Sequence, residues 1–504
     1  MPTIEEDLRK LDSLQAHLFA HRHATTSIMF AGETCDPEEA ASPRAEALAT
    51  LEEEVHELLC CEKTGQVLDR LGQAVAAGEL DETRTAQVHV LARERSERVD
   101  VPADVQAGFA KLCCEAQNVW TRAKGANDWA SFAPYLDQMV SSMRTIAKLR
   151  APEADPYDTW LDAYERGTSR AFYNRFFAEV KNCVVPLVAA IRERGWQPSR
   201  GCIEGTFDHD TQMELARDLL RVEGLRASAL TLSETEHPFT DSVCSRHAYI
   251  ATHVYEDDVI SNVYSMLHEG GHAMYEQNID PAYDRTILNG GVSSGVHESQ
   301  SRFFENYVGR SEAFAPVLLD TLRRHFPGRF DGVSARDLYL ATNRAEPGLV
   351  RTEADELTYP LHIIIRYEIE QLLFDGKATA ADVPALWNER YRSYLGLEVP
   401  SDTLGCLQDV HWSCGDMGYF PTYALGGAYG AQLLDAMRAG GVDFEGACAS
   451  GDLEPIRAWL RERVWRHGRT IDPIPLIEAA CGGPTDESHY TRYLTEKFSA
   501  IYNL

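Results

Sequence analysis

Along most of the chain the apolar positions return every three to four residues, which is the spacing of amphipathic helices. The stretch AEALATLEEEVHELLCCEKTG from Ala45 predicts a helix closing at Gly65. LHIIIRYEIEQLLFDG from Leu361 predicts another closing at Gly376, each glycine standing where a left-handed C-cap belongs. Pro360 falls at the start of the second, where its missing N–H costs nothing. Residues 32 to 43, GETCDPEEAASP, read as loop. One segment breaks the helical rule: HAYIATHVY, 247 to 255, is β-branched and aromatic and predicts a strand feeding the helix that follows. An edge strand there can hold an extended peptide by main-chain hydrogen bonds.

That following helix, VISNVYSMLHEGGHAMYEQN from Val259, carries two glycines in its interior, each costing about 1 kcal/mol against alanine. Their flanks supply a reason to look further. His268 and His272 stand four apart, so on a helix both imidazoles face one way and can grip one metal ion, with Glu269 beside them placed to act as a base on water. A catalytic site of this kind needs a third protein ligand. In GVSSGVHESQSRFFENYVGRS, helical from about Ser294, Glu298 follows His272 by 26 residues and is the candidate.

Composition narrows the picture. At 504 residues and 44% apolar the chain can bury a large core. Its 78 acidic against 48 basic residues give a formal charge of −30, which disfavours nucleic acid and anionic membrane surfaces and steers cationic molecules inward. The first residues lack a basic start followed by an apolar run, and no stretch approaches the ~20 apolar residues of a membrane span, so a cytoplasmic protein is expected. The 12 cysteines include no CxxC pair and read as thiols in a reducing compartment.

Three further stretches stand in register with HEGGH and HESQ: HPF at His237–Phe239, VRTEAD at Val350–Asp355, and GCLQDVHWSCGDMGYFPTY from Gly405 to Tyr423. Together they resemble the signature of the carboxypeptidase Taq family of metallocarboxypeptidases, whose patterns are HPF, HExxH, HES/GQ, IRxxAD and GxxQDxHW. Four match as they stand, and the IRxxAD element has valine for isoleucine. The resemblance is strong over the last half of the chain and weak over the first.

It implies a mainly α, large helical metallopeptidase fold with a deep central cleft and a small β element beside the active-site helix. One domain would span 1–504: scaffold and cleft wall in 1–230, catalytic motifs in 231–425, and a helical part in 426–504. It implies hydrolysis of the C-terminal peptide bond of peptides with a free C-terminus, one Zn2+ per chain with tolerance of Co2+, and a homodimer. His268, His272 and Glu298 are the expected metal ligands and Glu269 the general base. His411 with Tyr423 or Tyr419 is the expected oxyanion donor set, Tyr423 being preferred and Tyr419 then falling among the substrate-binding residues. Arg351 is expected to read the C-terminal carboxylate by a two-pronged pair, with Gln408 and His237 in the same substrate-binding set. From spacing alone, Arg351 would instead pair with Asp355 four residues on.

Two departures qualify the likeness. Where the family has DxRxT, this chain reads HAYIA, His247–Ala251, and where it has a tryptophan-aspartate element near the N-terminus, this chain has AHLFAHRHATTSIMF. The lost arginine leaves two alternatives open: an oligopeptidase or dipeptidase with altered C-terminus recognition, or an inactive peptide-binding homologue.

Overall fold

The HEGGH segment lies on a helix that spans Val259–Asn278, as its periodicity predicts; the computed structural model describes residues 2–504. Asp258 caps this motif helix, its carboxylate accepting the Ser261 N–H at 3.1 Å. Val259, Val263, Met266, Leu267, Ala273 and Met274 are all buried, so the helix is covered on nearly every side.

A second helix, Ser294–Arg302, carries Glu298. The Ser293 hydroxyl caps it by accepting the Val296 N–H at 3.2 Å, and it runs on into a widened, π-type stretch, Phe303–Gly309. A third helix, Phe420–Ala439, begins just after Tyr419 and carries Tyr423.

Glycines set the spacing of these three. A Cβ on Gly271 would stand 2.4 Å from the Gln300 carbonyl oxygen and 2.7 Å from Ser301 Cα. A Cβ on Gly426 would stand 2.6 Å from Glu298 Cγ and 3.0 Å from its carbonyl carbon. The Glu298 helix is thus clasped from two sides at backbone distance. Gly270 differs, because the atom its Cβ would strike is the Glu223 carboxylate, at 1.8 Å.

The helix predicted from Leu361 forms as Tyr359–Phe374 with Pro360 in its first turn. Gly376, at φ +67°, follows it and donates to the Leu373 carbonyl at 3.1 Å. The expectation at Gly65 fails. The first helix, Ala41–Cys60, stops at an extended Cys61, and Gly65 sits inside the next helix, Glu62–Ala76. Contacts outside the local pattern make that break: Thr64 donates to the Leu58 carbonyl at 2.7 Å, and Arg95 donates to the carbonyls of Leu59 (2.6 Å) and Cys61 (3.2 Å). The loop expected at 32 to 43 is also shorter, since the helix Ile4–Thr34 covers its start and Ala41–Cys60 its end.

Strands β1 (Leu230–Glu234), β2 (Phe239–Cys244) and β3 (His247–Thr252) form one sheet in the order β1-β3-β2. β3 pairs parallel with β1 (Leu232↔Ile250) and antiparallel with β2 (Thr240↔Ile250). The strand expected over 247–255 thus forms only at His247–Thr252, where it is the central strand with both edges occupied and cannot pair with a peptide as expected; 253–255 lie outside it. The strand at the sheet's edge beside the motif helix is β2, which begins with the phenylalanine of HPF.

Most buried apolar side chains form one core running from Ala116 to Tyr502. A smaller cluster joins Leu11, Leu18, Leu59, Leu71 and Leu91 to Ile287 and Leu288, so the N-terminal helices pack onto the loop leading to the Glu298 helix. Among the described residues no helix is long and apolar enough to cross a membrane.

Candidate active site

His268, His272 and Glu298 come together with one ligand atom each, all within 4.8 Å of one another. Glu298 Oε2 lies 3.7 Å from His268 Nε2 and 3.5 Å from His272 Nε2. Donor atoms about 2.0–2.2 Å from a shared tetrahedral ion stand about 3.3–3.6 Å apart, so this set fits one.

The protons fit as well. His268 Nδ1 lies 2.9 Å from Glu305 Oε2, so this nitrogen donates and Nε2 keeps its lone pair for the site. For His272 the argument takes one more link. His297 Nε2 is 3.0 Å from the Glu276 carboxylate and must donate to it, leaving His297 Nδ1 to accept from His272 Nδ1 at 2.6 Å. His272 Nε2 is then also bare. Burial, with its neighbours His297 and His268, lowers the His272 pKa to about 4 and keeps it neutral.

Glu298 is buried, at 5% exposure, yet its pKa is lowered: the cost of burial is outweighed by Arg302, whose Nε donates to Oε1 at 2.8 Å, and by the two histidines. Arg302 also donates through Nη1 to Glu305 Oε2 at 3.0 Å. Burial raises Glu305's pKa, but Arg302 and His268 win and take it to about 2. Glu269 is 6% exposed, and burial raises its pKa. The hydroxyl of Thr240 on β2 donates to Glu269 Oε2 at 2.8 Å.

His411 Nε2 lies 3.2 Å from the Tyr423 hydroxyl, and burial lowers the His411 pKa to about 4. Its Nδ1 is buried without a partner, a place better suited to a bare lone pair than to an N–H. The proton then sits on Nε2 and points at the Tyr423 oxygen, which turns the tyrosine's own hydrogen towards the Tyr419 side. Burial holds the Tyr423 pKa well above its ordinary value, so the phenol stays protonated. Tyr419 meets Tyr423 edge to face at 5.1 Å between ring centres and stacks on His411 at 5.9 Å.

Arg351 is buried and does not pair with Asp355. Its Nε donates to Asp409 Oδ1 at 2.9 Å and its Nη1 to the Tyr359 hydroxyl at 3.2 Å. Asp355 instead caps the next turn, accepting the N–H groups of Leu357 and Thr358. Gln408 is fully engaged: its oxygen takes the Arg351 N–H and Arg366 Nη2, both at 2.9 Å, and its amide donates to the carbonyls of Leu349 and Gly405. His237 is exposed in the turn before β2, and its carbonyl accepts from Thr235 at 2.8 Å. At the lost DxRxT arginine stands Tyr249, which meets Ser27 through its hydroxyl at 3.1 Å and packs on Phe30 at 4.4 Å.

Sequence reasoning missed Thr240, Glu276, His297, Arg302, Glu305, Tyr359 and Asp409. Arg302, four residues after Glu298 on one helix, was signalled by spacing, and Asp409 stood inside a motif already singled out. Glu305, three residues after Arg302, carried the same helical spacing, whereas Thr240 gave no local signal, because long-range packing brings it in.

The family model described as carboxypeptidase Taq (M32) metallopeptidase matches residues 10–498. Carboxypeptidase 1 of Bacillus subtilis (strain 168) is 35% identical over 468 residues, covering 93% of each chain. Thermostable carboxypeptidase 1 of Pyrococcus furiosus is 31% identical over 495 residues, covering 98% of each. Among solved structures, the M32 carboxypeptidase from Deinococcus radiodurans R1 superposes with a TM-score of 0.95 at 33% identity, covering 99% of this chain and 100% of that one.

Proposed function

This chain belongs to the carboxypeptidase Taq (M32) family and is a metal-dependent carboxypeptidase; from that premise we propose that its ion is zinc, held by His268, His272 and Glu298, and that Glu269 is the general base. The observation that carries the assignment is the meeting of two imidazole nitrogens and the Glu298 oxygen within 4.8 Å of one another, with Glu269 on the helix that carries both histidines. When bound, the ion supplies Lewis acidity, making water a nucleophile near neutral pH and polarising the scissile carbonyl. Cobalt can substitute, since the site asks only for nitrogen and oxygen ligands.

Glu269 takes a proton from the attacking water and delivers it to the leaving amine. Thr240 holds the carboxylate in one orientation while it does so. Tyr423, turned by His411, donates its hydroxyl hydrogen to the developing oxyanion, and Tyr419 shapes that wall. Arg351 reads the substrate's C-terminal carboxylate. Asp409 and Gln408 fix its stem and backbone, so Gln408 serves binding through Arg351 and not by touching the peptide. His237, exposed in the turn before β2, would contact the backbone of a peptide lying along that sheet edge.

The reading takes the chain as a single domain, 1–504. A cytoplasmic setting is supported by twelve cysteines that are all free. A homodimer is inferred from the family resemblance, and light scattering would return twice the 56.3 kDa of one chain.

The deciding experiment is mass spectrometry of a free-acid peptide and its C-amidated twin, each with zinc- or cobalt-loaded protein and with Glu269→Ala as control. Stepwise loss of C-terminal residues from the free acid alone is expected. Internal cuts in both peptides would show that losing the DxRxT arginine changed the reaction, and no cleavage of either would make the chain a peptide binder.

A further inference from the structure

Between the arginine assigned to the substrate and the arginine that steadies a metal ligand stands one side chain, Tyr359, the first residue of the helix Tyr359–Phe374. It is 8% exposed. Its hydroxyl accepts from Arg351 Nη1 at 3.2 Å, and the Arg302 guanidinium carbon lies 4.2 Å from its ring centre. Arg302 pairs with Glu298 and Glu305, whereas Arg351 shares the single carboxylate of Asp409 with Arg366 and so keeps positive charge for a second anion. Tyr359 therefore spaces two buried like charges by offering one its oxygen and the other its π-face. The path from Arg351 through Tyr359 and Arg302 to Glu298 is continuous.

We propose that Tyr359 is a positioning residue that sets Arg351 for the substrate's C-terminus through its hydroxyl and sets Arg302, and with it Glu298, through its ring. The proposal rests on the assignment of Arg351 to the C-terminal carboxylate and of Glu298 to the metal. It assigns the two halves of one side chain to two separable duties. The hydroxyl aims the binding of the free acid, and the ring maintains the donor set.

Two variants separate the duties. Tyr359→Phe keeps the ring and loses the oxygen: KM for a free-acid peptide should rise about tenfold, the effect of a lost charged hydrogen bond, with kcat and metal affinity within about twofold of the parent. Tyr359→Met removes ring face and hydroxyl: chelator competition with zinc should show affinity weakened about tenfold as well, as loss of a group supporting a ligand commonly does. An unchanged KM in Tyr359→Phe overturns the hydroxyl's duty, and a parental metal affinity in Tyr359→Met overturns the ring's. Melting of the metal-free chain reports whether Tyr359→Met folds; if it does not, Arg302→Lys takes its place, and parental zinc affinity there would equally overturn the ring's duty. Arg351→Lys is the control for the underlying assignment. If that variant keeps the parental KM, the reading of Arg351 fails, while the metal measurement still judges the ring.

Discussion

Glu223 ends the helix His209–Glu223 with both carboxylate oxygens buried and unpartnered against Gly270. Burial raises its pKa well above the ordinary value, with Arg457 opposing weakly. The folded chain thus keeps this acid protonated to higher pH than the unfolded chain, which ionises it near pH ~4.3. The sign follows. Stability linked to Glu223 is fully present below pH ~4.3 and is lost as pH rises towards the folded pKa, by at most about 1.4 kcal/mol per pH unit. Glu223→Gln cannot ionise, so urea midpoints at pH 5 and pH 8 should lie closer together than in the parent. An unchanged gap would show that the carboxyl is already charged in the fold. At this scale the sequence was most legible where chemistry is local: His268, His272 and Glu269 follow from four-residue spacing. Arg351 was legible in identity but not in partner, because Asp409 lies 58 residues away and only the fold brings the two together.

At the scale of elements, the two adjacent glycines of HEGGH separate. Gly271 lies against the backbone of Gln300 and Ser301. A methyl at Gly271 must push that helix away, so Gly271→Ala should cost about 1–3 kcal/mol by overpacking and weaken zinc binding through Glu298. Gly270→Ala need displace only the end of the Glu223 side chain and regains about 1 kcal/mol of helix propensity, so it should cost less. Chemical denaturation of both variants checks this ordering. A stabilised and fully active Gly271→Ala chain would mean that the helices are free to part. Helix boundaries were readable where local signals governed them, as at Pro360 and Gly376. They were not readable at Cys61, where a distant arginine takes the carbonyls, nor in β3, whose alternation announces a strand but not its neighbours.

For the whole molecule, the formal charge of −30 acts at a distance on whatever approaches. Peptides ending in lysine should show higher kcat/KM than matched peptides ending in glutamate at low ionic strength. The ratio should shrink as salt rises from ~0.05 to ~0.5 M, because screening removes steering but leaves short contacts. A ratio indifferent to salt would place the preference in the pocket and not in the field. The helical class and the motif order were legible across the chain, whereas the separate N-terminal cluster and its docking on Ile287 and Leu288 were not, since apolar periodicity is the same whichever core it serves. The clasp on the Glu298 helix has a consequence in heredity. Every single-base change of a glycine codon that encodes another amino acid brings a Cβ with it, so at positions 271 and 426 no small step exists: each substitution meets the wall at once, and lineages of this chain can leave those glycines only by first moving a helix.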